Sequence, residues 1–281
     1  MMDNSNDKTI KELSLIAYNA RVNLIEMAYL AGRNCAHCGG SLSAIEILTV
    51  LYHRVAHRLN NELRDRIILS KAHASLGHYC ILESMGLLTR DDLMSFEQNG
   101  SHYTAHAKKD LEKGLEFTGG SLGLGISYAV GVAYALKEKG SDEHVYVLLG
   151  DGECNEGIVW ESLMFASHNN LNNLTIIVDH NHLQADGFTE DVMNMGDITQ
   201  KITSFGFYTQ QVNGHSLEEL ISAFDHRNNE KPNAIIAETV KGKGISFMEN
   251  NYSWHFFVLT KGKYKKAMEE LIARKEEYVQ E

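Results

Sequence analysis

Residues 145–187 read VYVLLGDGECNEGIVWESLMFASHNNLNNLTIIVDHNHLQADG. An apolar run (145–149) breaks at Gly150-Asp151-Gly152, passes through a helix-length segment, and returns as a second apolar run (174–178) ending at Asp179 and Asn181. Two strand-length runs joined by one helix make a βαβ unit. The first strand ends in an acid between two glycines, and the second ends in Asp179 and Asn181. Oxygen ligands therefore stand at neighbouring strand ends, where a hard cation and a phosphate are well held.

Outward from this unit, 65–70 and 234–238 read as short buried strands and 207–212 as a further strand. Helical periodicity predicts helices over 10–32, 43–57, 75–85, 126–137, 197–205, 216–224 and 263–278. Ser43 with Glu46 has capping-box spacing, and Ser216 stands at an N-cap. Alternating strands and helices predict an α/β fold with a doubly wound, mainly parallel sheet flanked by helices. We read residues 1–281 as one domain, with 1–9 expected to be flexible and 256–281 a tail ending in a helix.

Composition narrows the function. The chain has 281 residues, 43% of them hydrophobic, enough for a substantial core. A net charge of -11 without a basic patch argues against nucleic-acid binding. The opening MMDNSNDKTIKEL lacks the pattern of a secretory signal, and the apolar runs are too short to span a bilayer. Four cysteines (Cys35, Cys38, Cys80, Cys154) in a chain of this length read as reduced thiols. These features predict a cytoplasmic protein.

Three other patterns bear on function. Gly123 and Gly125 form a Gly-x-Gly, but no strand clearly precedes them and the next glycine comes only at Gly131. They read as places where the backbone approaches a ligand closely, not as a nicotinamide fingerprint. Cys35 and Cys38 form a Cys-x-x-Cys with no second pair at metal-site spacing, so they read as structural. Among fourteen histidines, His37, His73, His106 and His255 each lie in a predicted loop. If those loops converge, the imidazoles bind phosphate oxygens and sugar hydroxyls and shuttle protons near neutral pH.

Gly150-Asp151-Gly152, followed by Asp179-His180-Asn181, resembles the diphosphate-binding motif of thiamine-diphosphate enzymes. Four further stretches resemble transketolase in order and spacing. They are Ala36-His37-Cys38-Gly39-Gly40-Ser41, Ser70-Lys71-Ala72-His73, Gly120-Ser121-Leu122-Gly123-Leu124-Gly125, and Lys241-Gly242-Lys243-Gly244-Ile245-Ser246-Phe247-Met248-Glu249. The resemblance implies a thiamine-diphosphate-binding fold and transfer of a two-carbon ketol unit from a ketose to an aldose. The substrates would be sugars or sugar phosphates. Since the chain matches only the first of the family's three domains, it resembles the amino-terminal subunit of a split transketolase. The implied partner is a carboxyl-terminal subunit carrying the pyrimidine-binding domain and its glutamate, in an α2β2 assembly.

The resemblance also assigns residues. Asp151, Asn181 and the main-chain carbonyl of Leu183 would hold Mg2+, or Ca2+ or Mn2+ in its place. Gly152 and Asn181 would meet the diphosphate, Gly120 and Leu122 the thiamine, and His73 and His255 the cofactor or reacting centre. His37 and His106 would hold the donor's hydroxyls, and Glu156 would link active sites across the subunit interface. The chain departs from the family at Cys38, Leu124 and Ala107, and at Phe256-Phe257-Val258-Leu259, where the family has Gly-Lys-Ala-Pro. Alternatives are the amino-terminal half of a 2-oxoacid decarboxylase or dehydrogenase component, which shares Gly-Asp-Gly and Asn, and a non-catalytic scaffold subunit.

Overall fold

The computed structural model describes residues 8–59 and 62–280. The chain opens with helix α1 (Ile10–Leu30), where Thr9 and Glu12 form a capping box and Leu13, Ala17, Ala20, Leu24 and Ala28 are buried at helical spacing. Gly32, with φ of 58°, turns the chain just past its end. Of the segment expected to be flexible, residues 1–7 lie outside the described residues, and Thr9 is fixed by its cap.

The helix expected over 43–57 is shorter and differently begun. Helix α2 (Ile45–Val50) runs into a wider π turn (Leu51–Val55), and there is no capping box. Glu46 instead meets the fully buried guanidinium of Arg21, at 2.6 and 2.7 Å. The Ser43 hydroxyl donates to Asp179 at 2.6 Å. A buried charge left unpaired costs several kcal/mol whereas a cap contributes about one, so the ion pair takes the glutamate.

Five strands follow: β1 (Arg66–Leu69), β2 (Val145–Gly150), β3 (Leu174–His180), β4 (Tyr208–Asn213) and β5 (Asn233–Glu238). They form one sheet in the order β1-β2-β3-β5-β4, every neighbouring pair parallel, with Gly150 opposite Asp179 and His180 opposite Glu238. The crossovers include α3 (Ser75–Ser84), α4 (Leu124–Glu138), α5 (Gly157–His168) and α6 (Leu217–Asp225). The Ser216 hydroxyl caps α6 by accepting from Glu219 N. At the end, α7 (Lys261–Ala273) and a short helix (Lys275–Gln280) replace the single helix expected.

Both faces of the sheet are covered, so its central strands read as continuous apolar runs. Tyr146 and Leu148 of β2 join a core built with α1, α2 and α3, while Val145, Val147 and Leu149 join one built with α4 and α5. All strands being parallel, their carboxyl ends share one edge, and the loops leaving that edge carry the predicted site residues. Among the described residues, no helix is long and apolar enough to cross a membrane.

Candidate active site

Register and loop packing assemble the site. After β2, Asp151 turns its carboxylate onto two backbone amides, Gly152 N at 2.7 Å and His182 N at 2.6 Å. After β3, Asn181 accepts from Leu183 N at 3.2 Å. Asp151, Asn181 and Leu183 are all buried. The three expected cation ligands thus lie on two touching loops and offer a carboxylate, an amide oxygen and a carbonyl, a donor set that fits a hard cation. Burial first, then neighbouring Asp179, raises the Asp151 pKa, a strain that a bound cation would relieve.

The four histidines converge from separate loops. His73 lies in the turn between β1 and α3, and Ser41 Oγ donates to the His37 carbonyl at 2.8 Å and reaches that of His73 at 3.2 Å. Ala36 and Phe257 pair as an antiparallel bridge, which sets His37 beside His255 and Phe256. The ring centroid of His37 lies 4.6 Å from His73, 5.4 Å from His255 and 5.8 Å from His106. His106 is exposed, 5.3 Å from His73.

Three of these imidazoles are held neutral. Burial, then nearby His73, His255 and His106, takes His37 down to about 3. Burial, with His106, Lys71 and Lys241 close by, takes His73 to about 4, and burial with Lys241 takes His255 to about 3. Neutral rings can accept or donate at either nitrogen, as binding sugar hydroxyls requires. His37 Nδ1, His255 Nδ1 and Gln184 Nε2 are buried without partners, which is costly unless a ligand supplies them.

The sequence reading missed the lysines and Glu153. Lys71 is buried in a knot around Asp179, which also accepts from Ser43 and Thr239. Burial alone would raise the Asp179 pKa, but Lys71 and the two hydroxyls outweigh it and hold the pKa down. Lys241, also buried, donates to the carbonyls of Leu183 (2.9 Å) and Gln184 (2.8 Å), and burial next to Lys71 lowers it to about 8. A buried ammonium whose hydrogen bonds go to carbonyls leaves positive charge for an anion such as a diphosphate. Glu153 accepts from Ser70, Gly123 N (2.9 Å) and Gly150 N (3.1 Å), joining three segments under the site. Its only signal was an acid following Gly-Asp-Gly.

The glycine-rich loop behaves differently from expectation. A Cβ at Gly123 would lie 2.5 Å from Ile158 Cγ2, and one at Gly125 would lie 2.5 Å from Ser70, so what these glycines approach is the protein's own chain. Gly120, with φ of 138°, faces His106, and Leu122 is half-buried beyond it. Gly152 abuts Gln184. Glu156 is exposed at the start of α5. Of the divergent run, Phe257 and Leu259 turn inward while Phe256, half exposed, stands 4.5 Å from His37. All four cysteines are free.

Known proteins place this arrangement. The transketolase thiamine-diphosphate-binding domain matches residues 17–277. An apulose-4-phosphate transketolase subunit of Phocaeicola vulgatus is 35% identical over 279 residues, covering 97% of this chain and 98% of that protein. The 6-deoxy-6-sulfo-D-fructose transketolase subunit of a Clostridium species is 36% identical over 241 residues, covering 84% of this chain and 88% of that protein. Campylobacter jejuni transketolase superposes with a TM-score of 0.86 at 31% identity, covering 94% of this chain but 43% of that longer one. This chain therefore belongs to the transketolase family, as an amino-terminal, thiamine-diphosphate-binding subunit of that enzyme.

Proposed function

We propose that this chain holds thiamine diphosphate and a divalent cation, Mg2+ first, at the Asp151 edge of the sheet. With a carboxyl-terminal partner subunit it transfers a two-carbon ketol unit from a ketose to an aldose. The observation that carries this reading is the convergence of His37, His73, His106 and His255, with unpartnered nitrogens on His37 and His255, beside a cation-ready turn and a buried lysine. When bound, thiamine diphosphate supplies the carbanion chemistry of the ketol transfer.

This chain's residues would orient and exchange protons. Asp151, Asn181 and the Leu183 carbonyl would hold the cation, and Gly152 N and Lys241 Nζ the diphosphate. Gly120 and Leu122 would line the thiamine. His73 and His255 would face the reacting centre, and His37 and His106 the sugar hydroxyls. Exposed Glu156 would lie at the subunit contact. The partner would bring the pyrimidine-binding domain and its glutamate, and the pair would assemble as α2β2 in the reducing cytoplasm, which four free thiols suit.

The relatives' names suggest a donor class. One names a phosphorylated sugar and another a sulfonated one, so a ketose with an anionic far end is the donor we propose. Phe256, against His37, would give that pocket an apolar wall. The test is ketol transfer by the chain mixed with its partner, cofactor and Mg2+, using a phosphorylated ketose. Asp151→Ala should abolish both transfer and cofactor binding by calorimetry, and a fully active Asp151→Ala pair would overturn the cation role.

A further inference from the structure

We propose that His180, His182 and Glu238 form a second cation site, of the zinc type, beside the hard-cation position proposed at Asp151. The inference stands apart from the ketol-transfer reading. The register of β3 on β5 places His180 opposite Glu238. Two residues later the backbone of His182 adopts φ of 60°, a conformation unfavourable for a side chain, and is anchored there by its amide on Asp151. That turn brings the two imidazole rings to 4.0 Å and aims both at one carboxylate. His180 Nδ1 meets Oε1 of Glu238 at 2.7 Å, and His182 Nε2 meets Oε2 at 2.9 Å.

Two imidazoles and a carboxylate, all donor atoms within 4.8 Å of one another, are a zinc-class ligand set with a fourth position open. A zinc ion sits about 2.0–2.2 Å from such donors. The ligands must therefore part slightly to admit it, and the His182 side chain, 56% exposed, is free to do so. Gln211 donates to Oε1 at 2.9 Å, the outer contact that orients a ligating carboxylate. A cavity of about 180 Å³ with His180, His182, Thr189 and Glu190 on its wall leaves room for water at the fourth position. Among the described residues, the other close cluster, His37, His73 and His255, has no carboxylate and faces Lys71 and Lys241, whose charges repel a cation.

The untagged full chain is titrated with Co2+ and read by its visible d–d bands. One equivalent should give the bands of a four-coordinate site, which Zn2+ displaces and excess Mg2+ does not. His182→Ala and Glu238→Gln should each weaken binding at least tenfold, while His37→Ala leaves it intact. Thermal unfolding without metal confirms that each variant is folded, and either of the first two suffices if the other is not. The site is overturned by any of four results: absence of bands, displacement by Mg2+, unchanged binding in a folded His182→Ala or Glu238→Gln variant, or loss of the bands in folded His37→Ala. The first would leave only His–Glu hydrogen bonds, and the last would move the ion to the other trio.

Discussion

Two groups of histidines stand at the same edge of one sheet in opposite surroundings. His37, His73 and His255 are mostly buried, face lysines, and are held neutral far below their ordinary pKa. His180 and His182 flank Glu238, whose hydrogen bond and charge outweigh the burial of His180 and raise its pKa. The difference lies in which neighbour the fold supplies: lysines leave a ring free for hydroxyl ligands, and a carboxylate engages its N–H.

Transfer activity breaks or confirms the first half of the contrast. His37→Asn should lower kcat/KM for ketol transfer by about 10²-fold or more while the chain keeps its melting temperature. An unchanged kcat/KM would remove His37 from the substrate site.

Acid stability tests the same group without substrate. Between pH 6.5 and about 4 the unfolded chain takes up protons that folded His37, His73 and His255 refuse. Their contribution is present above pH 6.5 and is lost as pH falls toward their folded values. Urea midpoints should therefore fall with acidification across this window, and less steeply in His37→Asn. Parallel curves for the two proteins would show that His37 is not held neutral.

The smallest effect belongs to the second group. The raised His180 contributes below pH 6.5 and loses that contribution as pH rises through its folded value. The lowered Glu238 contributes above pH 4.5 and loses it as pH falls. With chelator present, Glu238→Gln should cost about 0.5–1 kcal/mol near pH 5.5, with His180 partly and Glu238 a third exposed. The cost should fade as pH rises through the raised pKa of His180, and a cost growing with pH would reverse the assignment.

Local pattern located much of this molecule. The apolar runs marked the central strands β2 and β3, because a strand buried on both faces has no polar side to interrupt it, whereas the polar edge strand β4 carries no such run. Gly150-Asp151-Gly152 and Asn181 marked the strand ends, and four histidines stood out by their places in predicted loops. Ser43 and Glu46 were misread because nothing local announces that Arg21, on another helix, claims the glutamate. Gly123 and Gly125 were misread because a glycine records that space is short without recording whose atoms fill it.

By itself, then, the sequence determined the βαβ unit, the parallel sheet and the oxygen-bearing side chains after β2 and β3, since these depend on period and turn chemistry within short stretches of chain. Only the tertiary structure decided that His37, His73, His106 and His255 meet, that Lys241 caps the Leu183 carbonyl, and that Glu238 faces His180. Those contacts depend on strand register and loop packing between distant segments, where no local pattern sets the partner.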